Sequence, residues 1–352
     1  MKVGLTYDLR TDWVLRPEDP VDANAEFDKP ETIETIAATI ESAGHQVVRI
    51  GNVFRLWERL PNLGVDIVFN LCEGRNGRNR ESQVPVILEM HQIPYVGSDG
   101  LALGITLDKV VAKKCFLADG VPTPRFFVAD QGTDLQREAQ RIGFPLLVKT
   151  RYEGTSKGLC DQSRVEDMAS LKRQVAFVQQ NYKQSALVEE FISGTEFTVA
   201  VLGNDQAAQA MPIVQVIIDG NVDLGDAFYT YERVCSHTVR YACPARITAD
   251  LTLRLQTIAK QAYLSAGCRD FGRVDFRVDR RGQPYVLEIN PLPTLEKSEV
   301  FNLFPQVLGT TYEATVNAIL DLALMRYGLI PAGARVIDLL RAKEPIMTGS
   351  VR

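Results

Sequence analysis

Phe271-Gly272-Arg273-Val274-Asp275-Phe276, followed after the turn-forming Arg280-Arg281-Gly282-Gln283 by Tyr285-Val286-Leu287-Glu288-Ile289-Asn290-Pro291, alternates polar and apolar residues with period two. The pattern predicts two antiparallel strands joined by a short turn. Strict alternation puts Arg273, Asp275 and Arg277 on one face, opposite Val286, Glu288 and Asn290. Val274, Phe276, Val278, Leu287 and Ile289 then point into a core. Two carboxylates and an amide oxygen on rigid strands suit Mg²⁺, which takes a few protein oxygens and leaves its other positions to water and phosphate. The polar face therefore reads as a nucleotide-phosphate site. The plainer alternative is that Asp275 and Glu288 only pair with Arg273 and Arg277 on a solvated face.

At 352 residues the chain is long for one core, and two or three domains are expected. A net charge of −5 without any Lys/Arg-rich run gives nucleic acid no electrostatic footing. Met1 leads directly into a strand without an apolar leader, and no stretch of about 18 apolar residues occurs. The expectation is a cytoplasmic protein that does not engage a membrane. Cys72, Cys115, Cys160, Cys235, Cys243 and Cys268 are scattered without metal-site spacing, so free thiols, mostly buried, are expected.

Along the chain, strand Lys2 to Tyr7 precedes an acidic, proline-bearing loop and a helix from about Glu31, with Ile33, Ile36, Ala37 and Ile40 on one stripe and Gly44 at its end. Val47 to Ile50 and Asp66 to Asn70 are short apolar runs suited to parallel strands, which makes the first hundred residues a small βαβ unit without a dinucleotide glycine fingerprint. A helix from about Thr106 to Ala118 closes at Gly120. The strand Pro145 to Thr150 carries Lys149, and a helix spans about Val165 to Gln180. Between them Glu153 to Gly158 holds two glycines, two hydroxyls and a lysine, a composition able to wrap phosphate or to form an ordinary solvated loop. Ala186 to Val199 reads as two strands with a short turn, either an edge hairpin or a joint whose free backbone groups meet an adenine edge. Asp226 to Pro244 is aromatic, charged and aperiodic, as a mobile lid would be.

Lys109, Lys149, the loop from Glu153 to Gly158, the run from Glu189 to Glu196, Arg273, Asp275, Glu288 and Asn290, in that order, resemble the ATP-grasp superfamily. More closely, Phe69-Asn70, Ile93-Pro94-Tyr95-Val96-Gly97-Ser98, Leu107-Asp108-Lys109, Ser193-Gly194-Thr195-Glu196-Phe197-Thr198-Val199 and Gly272-Arg273-Val274-Asp275 are similar to D-alanine-D-alanine ligases over about residues 65 to 325. The resemblance implies a three-domain α/β fold. Its units are a Rossmann-like βαβ substrate domain (1–105), a small α+β middle domain (106–190) and a larger α+β catalytic domain (191–352). It implies ATP, two Mg²⁺ with Mn²⁺ as a substitute, and a homodimer. Lys109 and Lys149 would then hold phosphates, Thr155 and Ser156 would cover the γ-phosphate, and Glu196 would take the ribose. The backbone of Glu190, Phe191 and Ile192 would hold the adenine, with Glu189 near its amino group. Asp275, Glu288 and Asn290 would bind metal, and Arg273 would stabilise the developing oxyanion of an acyl transfer.

The chain departs from that family in its substrate half. No glutamate aligns cleanly with the one that faces the donor ammonium after the first strand, and Glu73 replaces a histidine. Leu292-Pro293-Thr294-Leu295-Glu296-Lys297-Ser298-Glu299 stands where the family has Ser-Pro-Gly-Met-Thr and an acceptor-binding serine. Glu299 or, one register away, Ser298 takes that serine's place. Thr294 lies beside them, and the lid lysine and tyrosine fall near Arg233, Val234 and Cys235. The expectation is an ATP-dependent carboxylate-amine ligase working through an acyl phosphate on an amino acid and another amino acid or small carboxylate. A divergent D-alanine-D-alanine ligase is the alternative. A non-catalytic nucleotide-binding regulator stands against the complete metal set and Arg273.

Overall fold

The structure, a computed structural model, describes residues 1–236, 238–331 and 336–341, with Val234, Cys235, Leu339 and Arg341 described in backbone alone. The Cys235 thiol and the last residues of the expected C-terminal unit therefore lie outside the described residues.

Three sheets organise the chain. The first is parallel, in the order β2-β1-β3-β4, with β1 Lys2–Tyr7, β2 Gln46–Gly51, β3 Ile67–Leu71 and β4 Tyr95–Val96. Helix α1, Pro30–Ser42, starts with Pro30 in its first turn, where the missing N–H costs nothing. It buries Ile33, Ile36, Ala37 and Ile40, as their spacing predicts. Removing three isoleucines from water contributes about 5–9 kcal/mol. Helices α2 (Val53–Arg59), α3 (Gln83–Met90) and α4 (Gly100–Leu107) complete this unit.

The helix expected over Thr106 to Ala118 is two helices. Asp108, with φ −82° and ψ 91°, interrupts it and starts α5, Lys109–Ala118, by accepting the N–H groups of Val110 and Val111. A carboxylate that can bond nearby amides offers the backbone an alternative to helix continuation. Lys109 is thereby placed at the first position of a new helix.

The second sheet is antiparallel, in the order β5-β8-β6-β7, from β5 Phe126–Ala129, β6 Leu146–Thr150, β7 Arg164–Val165 and β8 Ala186–Glu190. Helices α6 (Leu135–Ile142) and α7 (Met168–Tyr182) border it. The third sheet, also antiparallel, runs β12-β11-β9-β13-β14 with β10 beside β9. Its strands are β9 Gly194–Leu202, β10 Gln209–Ala210, β11 Val214–Ile218, β12 Val239–Ala242, β13 Phe271–Asp279 and β14 Pro284–Asn290. The short α8 (Tyr231–Cys235) precedes β12, so part of the expected lid is an edge strand. Helix α9, Ala249–Ser265, buries Leu255, Ala259, Ala262 and Tyr263 against β9, β13 and β14. Helices α10 (Val300–Val307) and α11 (Tyr312–Arg326) join the third sheet to α1 and β1 in one core that contains Val3, Ile36, Leu202, Phe271, Phe304 and Ile319.

The two strands expected over Ala186 to Val199 are present with a short joint, but not as an edge hairpin: β8 and β9 belong to different sheets, and Phe191-Ile192-Ser193 carries the chain across. Gly194 opens β9 at φ +151°, where a Cβ would collide with the Val278 carbonyl oxygen, so the crossover needs a glycine. On β14 the parity is inverted. Asp275 faces Glu288 but Phe276 faces Val286, which leaves Leu287 as the extra residue of a β-bulge. Val286 is therefore fully buried and Leu287 lines the cleft, the reverse of simple alternation. Among the cysteines with described side chains all five are free. Cys72 and Cys268 are buried, whereas Cys115, Cys160 and Cys243 are half-exposed, fewer buried thiols than expected.

Candidate active site

The second and third sheets and the first unit enclose a cleft of about 1780 Å³, its open mouth included. Its walls bring together Lys109, Lys149, Thr155, Ser156, Glu189, Glu190, Phe191, Ile192 and Glu196 with Arg273, Asp275, Glu288 and Asn290. Glu73, Thr294 and Glu299 line the same space, but Ser298 and Arg233 do not. Ser298 is exposed. Arg233 is held by Asp161 at 2.7 Å and the Phe228 carbonyl at 3.2 Å. The lid contributes Tyr229 and Tyr241 instead, with hydroxyls 2.7 Å apart and Tyr241 donating to Glu299 at 3.4 Å.

The polar faces of β13 and β14 form an interior wall, not a solvated surface. Arg273 grips Asp275 with two nitrogens, Nε to Oδ1 at 3.0 Å and Nη2 to Oδ2 at 2.9 Å, and Thr198 donates to the same carboxylate at 2.5 Å. Glu288 pairs with Lys109 at 3.3 Å. Burial opposes its charge, yet Lys109, Lys149 and Arg273 hold its carboxyl down at about 2. Arg277 leaves the acids and donates through Nη2 to the carbonyls of Gly194, Gly225 and Ala227. Its side chain is 3.8 Å from Glu196, which burial, with Asp275 and Glu288 nearby, pushes up to about 7 against the pull of Arg277 and Lys149.

Lys149 on β6 and Lys113 on α5 converge on Glu189, with all three side chains at most 7 % exposed. Lys149 lies 2.7 Å from Oε2. Lys113 lies 2.5 Å from Oε1 and donates to the Thr123 hydroxyl at 2.6 Å; the Oε1 contact is an ion pair without hydrogen-bond geometry. Burial pushes Lys113 down to about 8 despite Glu189, whereas Glu189 and Glu288 hold Lys149 up against the same burial.

The glycine loop is anchored from far away in sequence. Glu26 accepts from Gly154 N at 2.5 Å, from Lys157 at 3.1 Å and, through both carboxylate oxygens, from Arg80 Nη2 at 2.8 and 2.9 Å. A Cβ at Gly154 would sit 2.8 Å from that carboxylate. Thr155 and Ser156 both adopt positive φ, +48° and +54°, a strained turn that the anchors on either side hold in place. Glu26, Glu81, Lys113, Tyr229 and Tyr241 were not singled out from the sequence. No local motif marks the first three: Glu26 and Lys113 act through partners ten to more than a hundred residues away, and Glu81 is a single acid in a polar run. The tyrosines lie within the aromatic lid stretch, and that was their only signal.

Asp275, Glu288 and Asn290 offer two carboxylates and an amide oxygen from facing strands, a donor set that fits a hard divalent cation. Among the described residues no three acidic, histidine or cysteine side chains converge, so such an ion needs phosphate oxygens to complete its shell.

Comparison with known proteins gives the family. The family model described as D-ala D-ala ligase C-terminus matches residues 116–321. An uncharacterized protein, y4sG, of Sinorhizobium fredii is 39% identical over 266 residues, 74% of this chain and 75% of that protein. A D-alanine-D-alanine ligase of Janthinobacterium is 36% identical over 76% of this chain and 81% of its own. The crystal structure of the Bacillus anthracis D-alanine-D-alanine ligase complexed with ATP superposes with a TM-score of 0.73 at 22% identity, covering 94% and 99% of the two chains. VanG D-Ala:D-Ser ligase of Enterococcus faecalis gives 0.68 at 19%, covering 92% and 99%. These two carry the likeness of fold. The chain belongs to the D-alanine-D-alanine ligase family of the ATP-grasp superfamily, and it is an ATP-dependent ligase that joins a carboxylate to an amine.

Proposed function

We propose that the protein joins an amino acid, or another small carboxylate, to an amine through an acyl phosphate, and that the pair is not two D-alanines. A carboxylate oxygen attacks the γ-phosphorus of ATP, the bond to the β-phosphate oxygen breaks, and ADP leaves. The amine nitrogen then attacks the acyl carbon, the C–O bond to phosphate breaks, and the amine gives up a proton. In this reading Lys109 and Lys149 face the phosphates, and the backbone at Glu190 to Ile192 meets the adenine with Glu189 near its amino group. Glu196 takes the ribose. Thr155 and Ser156 close over the γ-phosphate. Arg273 stabilises the tetrahedral oxyanion, a task for a fixed guanidinium that needs no reorganisation. Asp275, Glu288 and Asn290 would hold two Mg²⁺, or Mn²⁺ in their place, which neutralise the transferring phosphoryl group.

The observation that carries the substrate reading is the position of Glu299. It lines the cleft beside Tyr241 while Ser298 faces out, so an acid stands where an acceptor carboxylate would need a neutral donor. ADP release measured with ATP and Mg²⁺ across amino and carboxylic acids tests both steps. A pair without D-alanine should be turned over, and rapid D-alanyl-D-alanine formation would return the protein to the second reading, a divergent D-alanine-D-alanine ligase, which the names of its relatives favour.

We also infer a homodimer. Phe54 and Trp57 on α2, Met90 on α3 and Leu101 on α4 are 59–74 % exposed on neighbouring helices, and light scattering would read the expected doubled mass. A requirement for ATP and free thiols fits the cytoplasm.

A further inference from the structure

Glu81 lines the cleft and is 7 % exposed, yet among the described residues its carboxylate makes no hydrogen bond and no ion pair. Glu73 lines the cleft near it and has no such partner either. The cations around them are already committed. Arg80 donates to Glu26 and to the Tyr152 carbonyl. Lys157 pairs with Glu26 and, at 2.5 Å, with Glu153. Lys109 pairs with Glu288 and the Glu153 carbonyl. Burial pushes both acids upward, with Glu81 and Glu26 adding to the rise of Glu73 and Glu26 and Glu153 to that of Glu81, against the pull of Arg80 on both and of Lys109 on Glu81. Buried carboxylates so placed take up a proton or are held ionised by an incoming positive charge.

The charge balance extends across the cleft. Glu299, on the side of Arg273, is a further acid whose only described hydrogen bond is a long one from Tyr241, and Arg273 is itself occupied by Asp275. Two neutral amino acids would bring two α-carboxylates and one ammonium, because the attacking amine must be uncharged. That set fits poorly among acids at both ends. A metal ion is a poor occupant of the Glu73–Glu81 pair, since no third acidic, histidine or cysteine ligand converges there among the described residues.

We propose that Glu73 and Glu81 form a cation subsite that takes a non-reacting, positively charged nitrogen of one substrate, so that the enzyme acts on a basic amino acid or a diamine. This rests on the ligase reading and narrows its substrate. The test compares lysine with norleucine, and 1,4-diaminobutane with butylamine, as additions to the ADP-release assay. The member of each pair with the additional ammonium group should exceed its counterpart at least tenfold in kcat/KM, and Glu81→Gln and Glu73→Gln should bring the ratio towards one. Calorimetry of the same four compounds without ATP reads the subsite independently of turnover. If no acid and amine release ADP, the ligase reading falls while calorimetry still decides the subsite. Equal use or equal binding of the two members of each pair overturns the proposal, as does binding of MgCl₂ or KCl in competition with 1,4-diaminobutane. Glu81→Gln should also unfold at a higher temperature than the parent, because it removes an uncompensated buried acid; a lower unfolding temperature would mark Glu81 as structural and overturn its role as a ligand.

Discussion

Replacing Glu26 by glutamine should loosen the glycine loop by a predictable amount. The Glu26 side chain is 5 % exposed, and its partners Arg80 and Lys157 are 6 % and 7 % exposed. Burial opposes the ionised carboxylate, but Arg80, Lys157 and the Gly154 amide prevail and hold it at about 2 against the ordinary 4.5. That difference corresponds to about 3 kcal/mol in favour of the folded state at neutral pH. Removing one partner of a buried pair independently costs about 3–5 kcal/mol. Glu153 remains near both cations, at 3.5 Å from Arg80 and 2.5 Å from Lys157, so the lower end applies. The folded value lies below the ordinary one. The contribution is therefore complete above about pH 4.5 and is lost as pH falls towards 2, with about half remaining at pH 3. Urea unfolding of Glu26→Gln and parent, at pH 7 and pH 3, should give a deficit near 3 kcal/mol that roughly halves. Proteolysis at Glu153 to Gly158 should accelerate in the variant. A deficit under about 1 kcal/mol, or one that does not change with pH, would refute the argument.

Asp275→Asn and Glu288→Gln should each lower ADP release by at least about a hundredfold while the protein stays folded, because each removes charge aimed at phosphate and metal; loss of the ion pair with Arg273 or Lys109 should also lower the unfolding temperature. Leu287→Ala should weaken ATP binding about fivefold with little change in stability, whereas Val286→Ala should lose about 2 kcal/mol of stability and leave ATP affinity alone. Calorimetry and denaturant titration on the two variants distinguish the bulged register from simple alternation. D-alanine with ATP should release little ADP from the parent, and Glu299→Ser should raise that rate about tenfold; an unchanged rate in the variant would remove Glu299 from acceptor discrimination.

Much of the fold was legible because periodicity reports one-sided burial directly. The α1 stripe and the alternation of β13 both follow from which side chains meet the core. The same rule failed at Leu287, since one inserted residue reverses parity and the inserted residue is itself apolar. It left two readings open at β8 and β9, because a three-residue connection has the length of a hairpin turn, and local sequence does not say that two sheets compete for the strands. The nucleotide side of the cleft was readable as motifs of consecutive residues. Glu26 and Arg80 were not, because their role depends on Gly154 and Lys157, over 70 residues or more of intervening chain. At Ser298 and Glu299 sequence left two registers; in the structure Ser298 faces water and Glu299 lines the cleft.

The shared hold of Lys113 and Lys149 on Glu189 bears on how a polyanion enters so enclosed a space. A buried lysine waiting alone would lose its proton, and one locked to its own acid would have to break that pair before serving a ligand. Here Glu189 has two cations, and only Lys113 is additionally fastened, through Thr123. In the proposed reading Lys149 would turn to an arriving phosphate while Lys113 keeps the acid neutralised. Loading the cleft becomes an exchange of counterions, in which neither the carboxylate nor the departing ammonium passes through a bare, unpaired state.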